Sequence, residues 1–120
     1  MRGPNFNLSL ERLAGADVLR ISGEVDIATG PMFVRQLSNA LRPDRGLIVD
    51  MRAVTYIDLR GVRALEEASV RARTAGQRLV VVSSNSLVHR LFSILQLQGH
   101  TTLVNTIEDA MRLADPARQR

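Results

Sequence analysis

Three aspartates in the first half of the chain are the residues best suited to chemistry. Asp26, Asp50 and Asp58 each stand beside an apolar run, and clustered carboxylates can hold a divalent metal ion. A phosphoryl-accepting pocket of this kind also needs a lysine to pair with the phosphoryl group, and the chain contains no lysine. We therefore expect these aspartates neither to accept a phosphoryl group, as in the receiver domain of a response regulator, nor to form a metal site.

The remaining candidates for catalysis are equally weak. His89 and His100 are the only imidazoles, and Arg90 beside His89 disfavours a metal ion there. None of the motifs G-x-S-x-G, H-E-x-x-H, G-x-x-x-x-G-K-[ST] or G-x-G-x-x-G is present. The hydroxyl-rich segment 83–86 could face a phosphate, but capping of a following helix explains it more simply. We expect no enzymatic activity and no cofactor.

Composition and charge narrow the class of partner. The formal net charge is +4, and all 16 basic residues are arginines spread along the chain rather than gathered in a stripe. With only 3% aromatic residues, stacking partners for bases are scarce, so nucleic-acid binding is not expected. No apolar run is long enough to cross a bilayer, and there is no cysteine. These features predict a cytoplasmic protein without membrane insertion.

The apolar patterns predict alternating strands and helices. Two short strands, around Phe6 to Leu10 and Val18 to Ile21, should form a hairpin across the turn-like residues 14–17. Helices should begin near Thr29 or Gly30, at Asp58, within 84–86, and at Thr106, with further strands at 47–49, 79–82 and 103–104. The order predicts an α/β domain: a mixed, mostly parallel sheet with an N-terminal β-hairpin and about four helices. One domain should span 1–120, with flexible tails at about 1–4 and 114–120.

Five sequence elements in this order resemble the STAS family, whose best-known members are anti-sigma factor antagonists. They are Gly23-Glu24-Val25-Asp26, Ile48-Val49-Asp50, Ile57-Asp58 with Gly61, Leu87 to Phe92, and Leu97-Gln98-Gly99. In the family, an I-D-S-S-G signature places a phosphorylatable serine at a helix start. Here the signature reads I-D-L-R-G, so Leu59 stands at the acceptor position and no phosphorylation is expected there.

The resemblance implies a regulatory domain that binds an anti-sigma factor of the GHKL kinase type, and that cannot be switched off at position 59. The signature loop, the acid of the preceding loop and the exposed side of the next helix form the predicted partner-binding surface. Its residues are Asp26, Asp58, Leu59, Arg60, Gly61, Arg63, Glu66, Glu67 and Val70. Two of these have a second interpretation, because Asp58 suits a helix N-cap and Asp26 suits a cap or turn before Pro31.

Other roles for the same fold stay open at this point. The domain could be a scaffold or accessory subunit of a stress-sensing or lipid-transport complex, with other STAS proteins as partners. It could also be a sensor of a small ligand or nucleotide. An exposed Leu59 would equally suit a homodimer contact. Thr55, Ser69 and Thr74 are further hydroxyls near the signature, and each is more simply a strand or helix residue than a regulatory phosphorylation site.

Overall fold

The structure alternates strands and helices in the predicted order. The computed structural model describes residues 2, 3, 5–97 and 101–119. Its strands are β1 (Arg2–Gly3), β2 (Phe6–Arg12), β3 (Ala16–Val25), β4 (Gly46–Ile57), β5 (Leu79–Val82) and β6 (Thr102–Val104). Its α-helices are α1 (Gly30–Ala40), α2 (Leu59–Thr74), α3 (Ser86–Ile94) and α4 (Ile107–Ala114), followed by a 3-10 turn, Pro116–Gln119.

The strands form one sheet in the order β1-β2-β3-β4-β5-β6. The β1–β2 and β2–β3 pairs are antiparallel, and the pairs from β3 to β6 are parallel. Each parallel pair is joined by a helical crossover, and such crossovers share one hand, so α1, α2 and α3 pack on one face. The predicted α/β class, with a mixed sheet, an N-terminal hairpin and four helices in the described part of the chain, is confirmed.

The hydrophobic core lies on both faces of the sheet. The larger layer joins the sheet to α1, α2 and α3, and the smaller one lies beneath α4. Because side chains alternate across a strand, β5 supplies Leu79 and Val81 to the first layer and Val80 and Val82 to the second. The packing is almost wholly aliphatic, as the composition requires. Among the described residues, no helix combines the length and apolarity needed to cross a bilayer.

The hairpin is longer than the sequence pattern indicated. Ala16 and Asp17 were expected in the turn, but both belong to β3, and the connection tightens to residues 13–15. Asp17 is buried, and its Oδ1 accepts a hydrogen bond of 2.8 Å from Arg45 Nε. A carboxylate is tolerated inside this strand because a guanidinium 28 residues away neutralises it. The prediction of a turn at 16–17 was therefore wrong.

Secondary structure also extends into both expected tails. Within 1–4, β1 pairs with β2, and within 114–120, α4 ends at Ala114 before the 3-10 turn.

The predicted helix starts are confirmed at Asp58 and Thr106, whose side chains accept hydrogen bonds from the first turn of α2 and α4. In the hydroxyl-rich segment, Asn85 caps α3 by accepting from Leu87 N at 2.8 Å. Gln98, Gly99 and His100 lie outside the described residues.

Candidate functional site

The carboxyl ends of β3 and β4 bring two of the resembling sequence elements together. Val25 and Ile57 are paired at the end of the parallel ladder, and Asp58 N donates a 3.0 Å hydrogen bond to Val25 O. The loop after β3 and the first turn of α2 therefore leave the sheet side by side. This neighbourhood of residues 26–30 and 58–61 is the structural setting of the predicted surface.

Asp58 starts α2. Its backbone is extended, and its Oδ1 accepts a 3.0 Å hydrogen bond from Gly61 N. The carboxylate also lies at the positive end of the helix dipole, which favours its charge. By fixing this first turn, Asp58 sets the direction in which Leu59 and Arg60 project. The N-cap interpretation is confirmed, and direct contact with a partner stays a prediction.

Asp26 organises the neighbouring loop. Its Oδ1 accepts from Ala28 N at 2.9 Å and Thr29 N at 3.1 Å, while Thr29 Oγ1 donates to Glu24 O at 2.7 Å. The backbone hydrogen bond from Thr29 N has the largest effect and holds the pKa of Asp26 below its ordinary value. Burial opposes it, and the hydrogen bond from Ala28 N lowers the pKa further. Asp26 thus closes the turn before α1. The same side chain lines a groove with Arg60 and Gly61.

Exposed apolar side chains surround this point. Leu59 is 54% exposed, Ile27 is 70% exposed, and Val34 on α1 is 43% exposed. The buried residues of α1 are Phe33, Leu37 and Ala40, so Val34 lies outside the stripe that packs on the sheet. Ile27 was not singled out, although an isoleucine in an otherwise polar turn is the signal that could have identified it. These three residues form an apolar patch at the start of the two helices.

A furrow runs from this patch along α2. Three adjoining grooves make it up, with volumes of about 370, 310 and 450 Å3. The first and second share Val34 and Arg60, and the second and third share Glu67. The first is lined by Asp26, Ile27, Gly30, Pro31, Val34, Arg60 and Gly61, and the second by Val34, Leu59, Arg60, Arg63, Ala64 and Glu67. The third is lined by Glu66, Glu67, Val70 and Arg71. We call these connected grooves the α1–α2 furrow.

The charged residues of the α1–α2 furrow differ in how they are held. Arg63 and Glu66 form an exposed pair at 2.8 Å, which neutralises both. Arg71 donates a 3.0 Å hydrogen bond to Ser38 Oγ and so links α2 to α1. Arg60 is exposed and forms no ion pair with any residue that the structure describes. It is therefore a free cation between two partly apolar grooves.

Gly61 differs from the other predicted surface residues because it is buried. A Cβ at this position would lie 2.7 Å from Ile57 Cγ1 and 3.0 Å from Val25 Cγ1. The glycine lets the first turn of α2 pack directly on the ends of β3 and β4. Of the other predicted residues, Leu59, Arg60, Arg63, Glu67 and Val70 are exposed, and Asp26, Asp58 and Glu66 are half-buried. Eight of the nine line three neighbouring grooves, and the ninth, Asp58, caps α2 beside them.

Asp50 is separate from this site. It shares the sheet face of Ile48, where Arg52 Nε donates to its Oδ1 and Arg52 Nη2 to its Oδ2, each at 2.9 Å. Burial tends to raise the pKa of Asp50, but the hydrogen bonds and the charge of Arg52 outweigh it and lower the pKa. Asp26, Asp50 and Asp58 are thus engaged in three separate local interactions. Within the described residues, no group of three potential metal ligands occurs.

The Asp50–Arg52 pair makes the stability of the protein depend on pH. The pKa of Asp50 is lower in the folded protein than its ordinary value of 3.8, so the pair stabilises the fold above that value. This contribution disappears as the pH falls through the lowered pKa. We expect the difference in unfolding free energy between wild type and Asp50→Asn to be largest near neutral pH and to shrink below about pH 4.

Urea unfolding followed by circular dichroism at several pH values measures this difference. Asp44→Asn, in the exposed turn after α1, is the control, and its difference from wild type should change much less with pH. A constant difference for Asp50→Asn between neutral pH and pH 3 would contradict the assignment.

Comparison with known proteins assigns the chain to a family. The STAS domain family model matches residues 7–110, and the chain belongs to that family. A search of curated protein sequences gave no match.

Solved structures share the fold. One is an anti-sigma factor antagonist from Mycobacterium paratuberculosis, with a TM-score of 0.83 and 21% identity over 95% of this chain and 98% of that chain. Another is the anti-sigma factor antagonist SpoIIAA in its unphosphorylated form, with a TM-score of 0.71 and 18% identity over 89% and 95%. A third is the murine anion transporter Solute Carrier 26 family member A9, with a TM-score of 0.67 and 20% identity over 86% of this chain but 18% of the transporter.

Proposed function

We propose that this chain is a cytoplasmic, non-catalytic regulatory domain that binds an anti-sigma factor and so acts as an anti-sigma factor antagonist. The observation that carries the proposal is the exposed apolar patch of Ile27, Val34 and Leu59 at the start of α2, within a STAS fold. Surface clusters of large apolar residues are typical of protein interaction sites. Two of the similar structures are themselves named as anti-sigma factor antagonists, which supports this role.

The proposed partner is an anti-sigma factor of the GHKL kinase type. In the STAS signature, phosphorylation of the serine adds nearly two negative charges at the helix start and releases the kinase. Leu59 has no acceptor oxygen, so this route to release is missing. The protein is then an antagonist that stays in its binding form whatever the activity of the kinase.

This departure gives a direct prediction for phosphorylation. Incubation of the wild-type chain with ATP and its cognate kinase should leave the intact mass unchanged. The nearby hydroxyls support this expectation: Thr55 Oγ1 donates to Gly23 O at 3.2 Å and Thr74 Oγ1 donates to Val70 O at 2.9 Å, while Ser69 is buried. Leu59→Ser is the matched variant, since it restores an acceptor beside the Asp58 cap. A phosphate mapped to any residue of the wild-type chain would contradict the prediction.

The function itself is tested by affinity co-purification of the tagged chain from its native host, with and without ATP, followed by mass spectrometry. Recovery of a GHKL-type anti-sigma factor under both conditions would support an antagonist held in its binding form. Recovery of the kinase only without ATP would show that release still occurs and would contradict that part of the proposal.

A scaffold role is the second candidate. The similarity to part of a murine anion transporter favours it, because there a domain of this fold makes up 18% of a longer chain. Recovery of a transporter ATPase or of other STAS proteins, without an anti-sigma factor, would replace the first proposal by this one.

A further inference from the structure

Arg60 has an unusual position in the α1–α2 furrow. It lines both the groove that contains Ile27 and the groove that contains Leu59, and Val34 is the only other residue common to the two. A partner that covers the apolar patch therefore also covers Arg60. Removing a charge from water is costly unless an opposite charge replaces the lost hydration.

Two carboxylates share a groove with Arg60, those of Asp26 and Glu67, and the structure shows no ion pair between Arg60 and either of them. Asp26 lines the same groove, but its Oδ1 accepts hydrogen bonds from the backbone of Ala28 and Thr29, and the structure shows no ion pair with Arg60. Arg63, the other cation of the second groove, is already paired with Glu66. The neutralising group for Arg60 must consequently come from the molecule that binds.

We propose that the partner enters the α1–α2 furrow with a protein segment in which an aspartate or glutamate is flanked by apolar side chains. The carboxylate pairs with Arg60, and the apolar neighbours cover Ile27, Val34 and Leu59. The inference rests on the proposed function only in taking this surface as a protein-binding site. It specifies the chemistry of the partner segment, which the family assignment does not.

The size and lining of the furrow favour a protein segment over a small anion. The furrow follows α2 from Arg60 to Arg71, which is about 16 Å at 1.5 Å per residue. Its first two grooves present more apolar than polar surface around the single free cation, as expected for a site that receives alternating apolar and charged side chains. A free phosphate would contact Arg60 and leave the apolar patch exposed.

Peptide display tests the inference without knowledge of the partner. A random 12-residue peptide library is selected on the immobilised wild-type chain, and selected peptides are kept only if Leu59→Glu abolishes their binding. We expect these peptides to be enriched in Asp or Glu next to Leu, Ile, Phe or Trp. Their affinity should fall as salt is raised, because an ion pair contributes to binding.

Arg60→Glu should weaken the binding of the selected peptides on the order of 30-fold. Replacing the acidic residue of a selected peptide by lysine should restore a substantial part of its binding to the Arg60→Glu variant. Arg90→Glu, at an exposed arginine of α3 outside the furrow, is the matched control and should leave affinity within about 2-fold.

Several outcomes would overturn the proposal. These are selection of peptides without acids, equal binding by Arg60→Glu, or failure to select any peptide sensitive to Leu59→Glu. A dimer in sedimentation equilibrium that Leu59→Glu dissociates would assign the furrow to a second copy instead. An anti-sigma factor that binds wild type and Arg60→Glu equally would refute this inference alone, whereas acid-dependent peptides without a captured anti-sigma factor would refute only the proposed function.

Discussion

Replacement of Leu59 by glutamate is expected to weaken binding of the proposed anti-sigma factor partner by at least about 100-fold. Leu59 is 54% exposed and lines a groove together with Val34, so a partner that covers the apolar patch would bury it. Glutamate removes that apolar contact and places a carboxylate where water is excluded. The substitution should leave the fold intact, because an acidic residue in the first turn of a helix interacts favourably with the helix dipole.

Isothermal titration calorimetry with the captured anti-sigma factor measures the effect. Ile94→Glu is the matched control, since Ile94 on α3 is 65% exposed and does not line the α1–α2 furrow. The control variant should bind within about 3-fold of wild type, and both variants should keep the thermal midpoint of wild type within a few degrees. If the Leu59→Glu and Ile94→Glu variants bound with similar affinities, the signature loop would not be part of the interface.

Much of the fold could be predicted because its signals are local. The four-residue run of β5, buried on both faces, is nearly all valine, as a central parallel strand requires. The N-cap of α2 involves Asp58 and a backbone NH three residues later, so its type and spacing can be recognised in the sequence. Such short-range interactions also fixed the starts of α3 and α4.

The parts that could not be predicted depend on distant residues. Asp17 looked like a turn residue because its partner, Arg45, lies 28 residues away. Val34 stands next to Phe33 in the α1 pattern, and only the packing of α1 on the sheet shows that Phe33 is buried and Val34 is exposed. The apolar patch joins residues of a loop and two helices, so no single sequence window contains it.

Gly23 belongs to one of the five matched sequence elements, and the structure explains why this position is a glycine. The sequence identified it only as part of Gly23-Glu24-Val25-Asp26. In the structure its φ is +94°, and Glu24 N donates a 2.7 Å hydrogen bond to Asn5 O, which brings the two backbones into close contact. A Cβ on Gly23 would lie only 1.8 Å from that carbonyl oxygen. Both the backbone conformation and the space therefore require glycine.

Gly23→Ala is accordingly expected to lower the free energy of unfolding by about 3 kcal/mol, from the strain of a positive φ and from the overlap with Asn5. In a domain of this size, such a loss should reduce the thermal midpoint by about 10 °C. Thermal and urea unfolding followed by circular dichroism measure both quantities. The loss of stability should arise in the hairpin and in β3, the strand that leads directly into the Asp26 loop.

Gly30→Ala makes the same chemical change at a position that has neither a positive φ nor a close contact with a distant backbone. Gly30 is the first residue of α1, its φ is not in the left-handed region, and nothing apart from its chain neighbours lies within 4 Å of an added Cβ. Alanine there should change the free energy of unfolding by well under about 1 kcal/mol, because the gain from restricting the unfolded chain is offset by crowding between the new Cβ and the ring of Pro31. If both variants lost similar stability, the cost at Gly23 could not be assigned to its backbone conformation and its contact with Asn5. A large loss confined to Gly23→Ala would show that the glycine of this family element is required by its positive φ and by the approach of two backbones, whatever the surface of the domain binds.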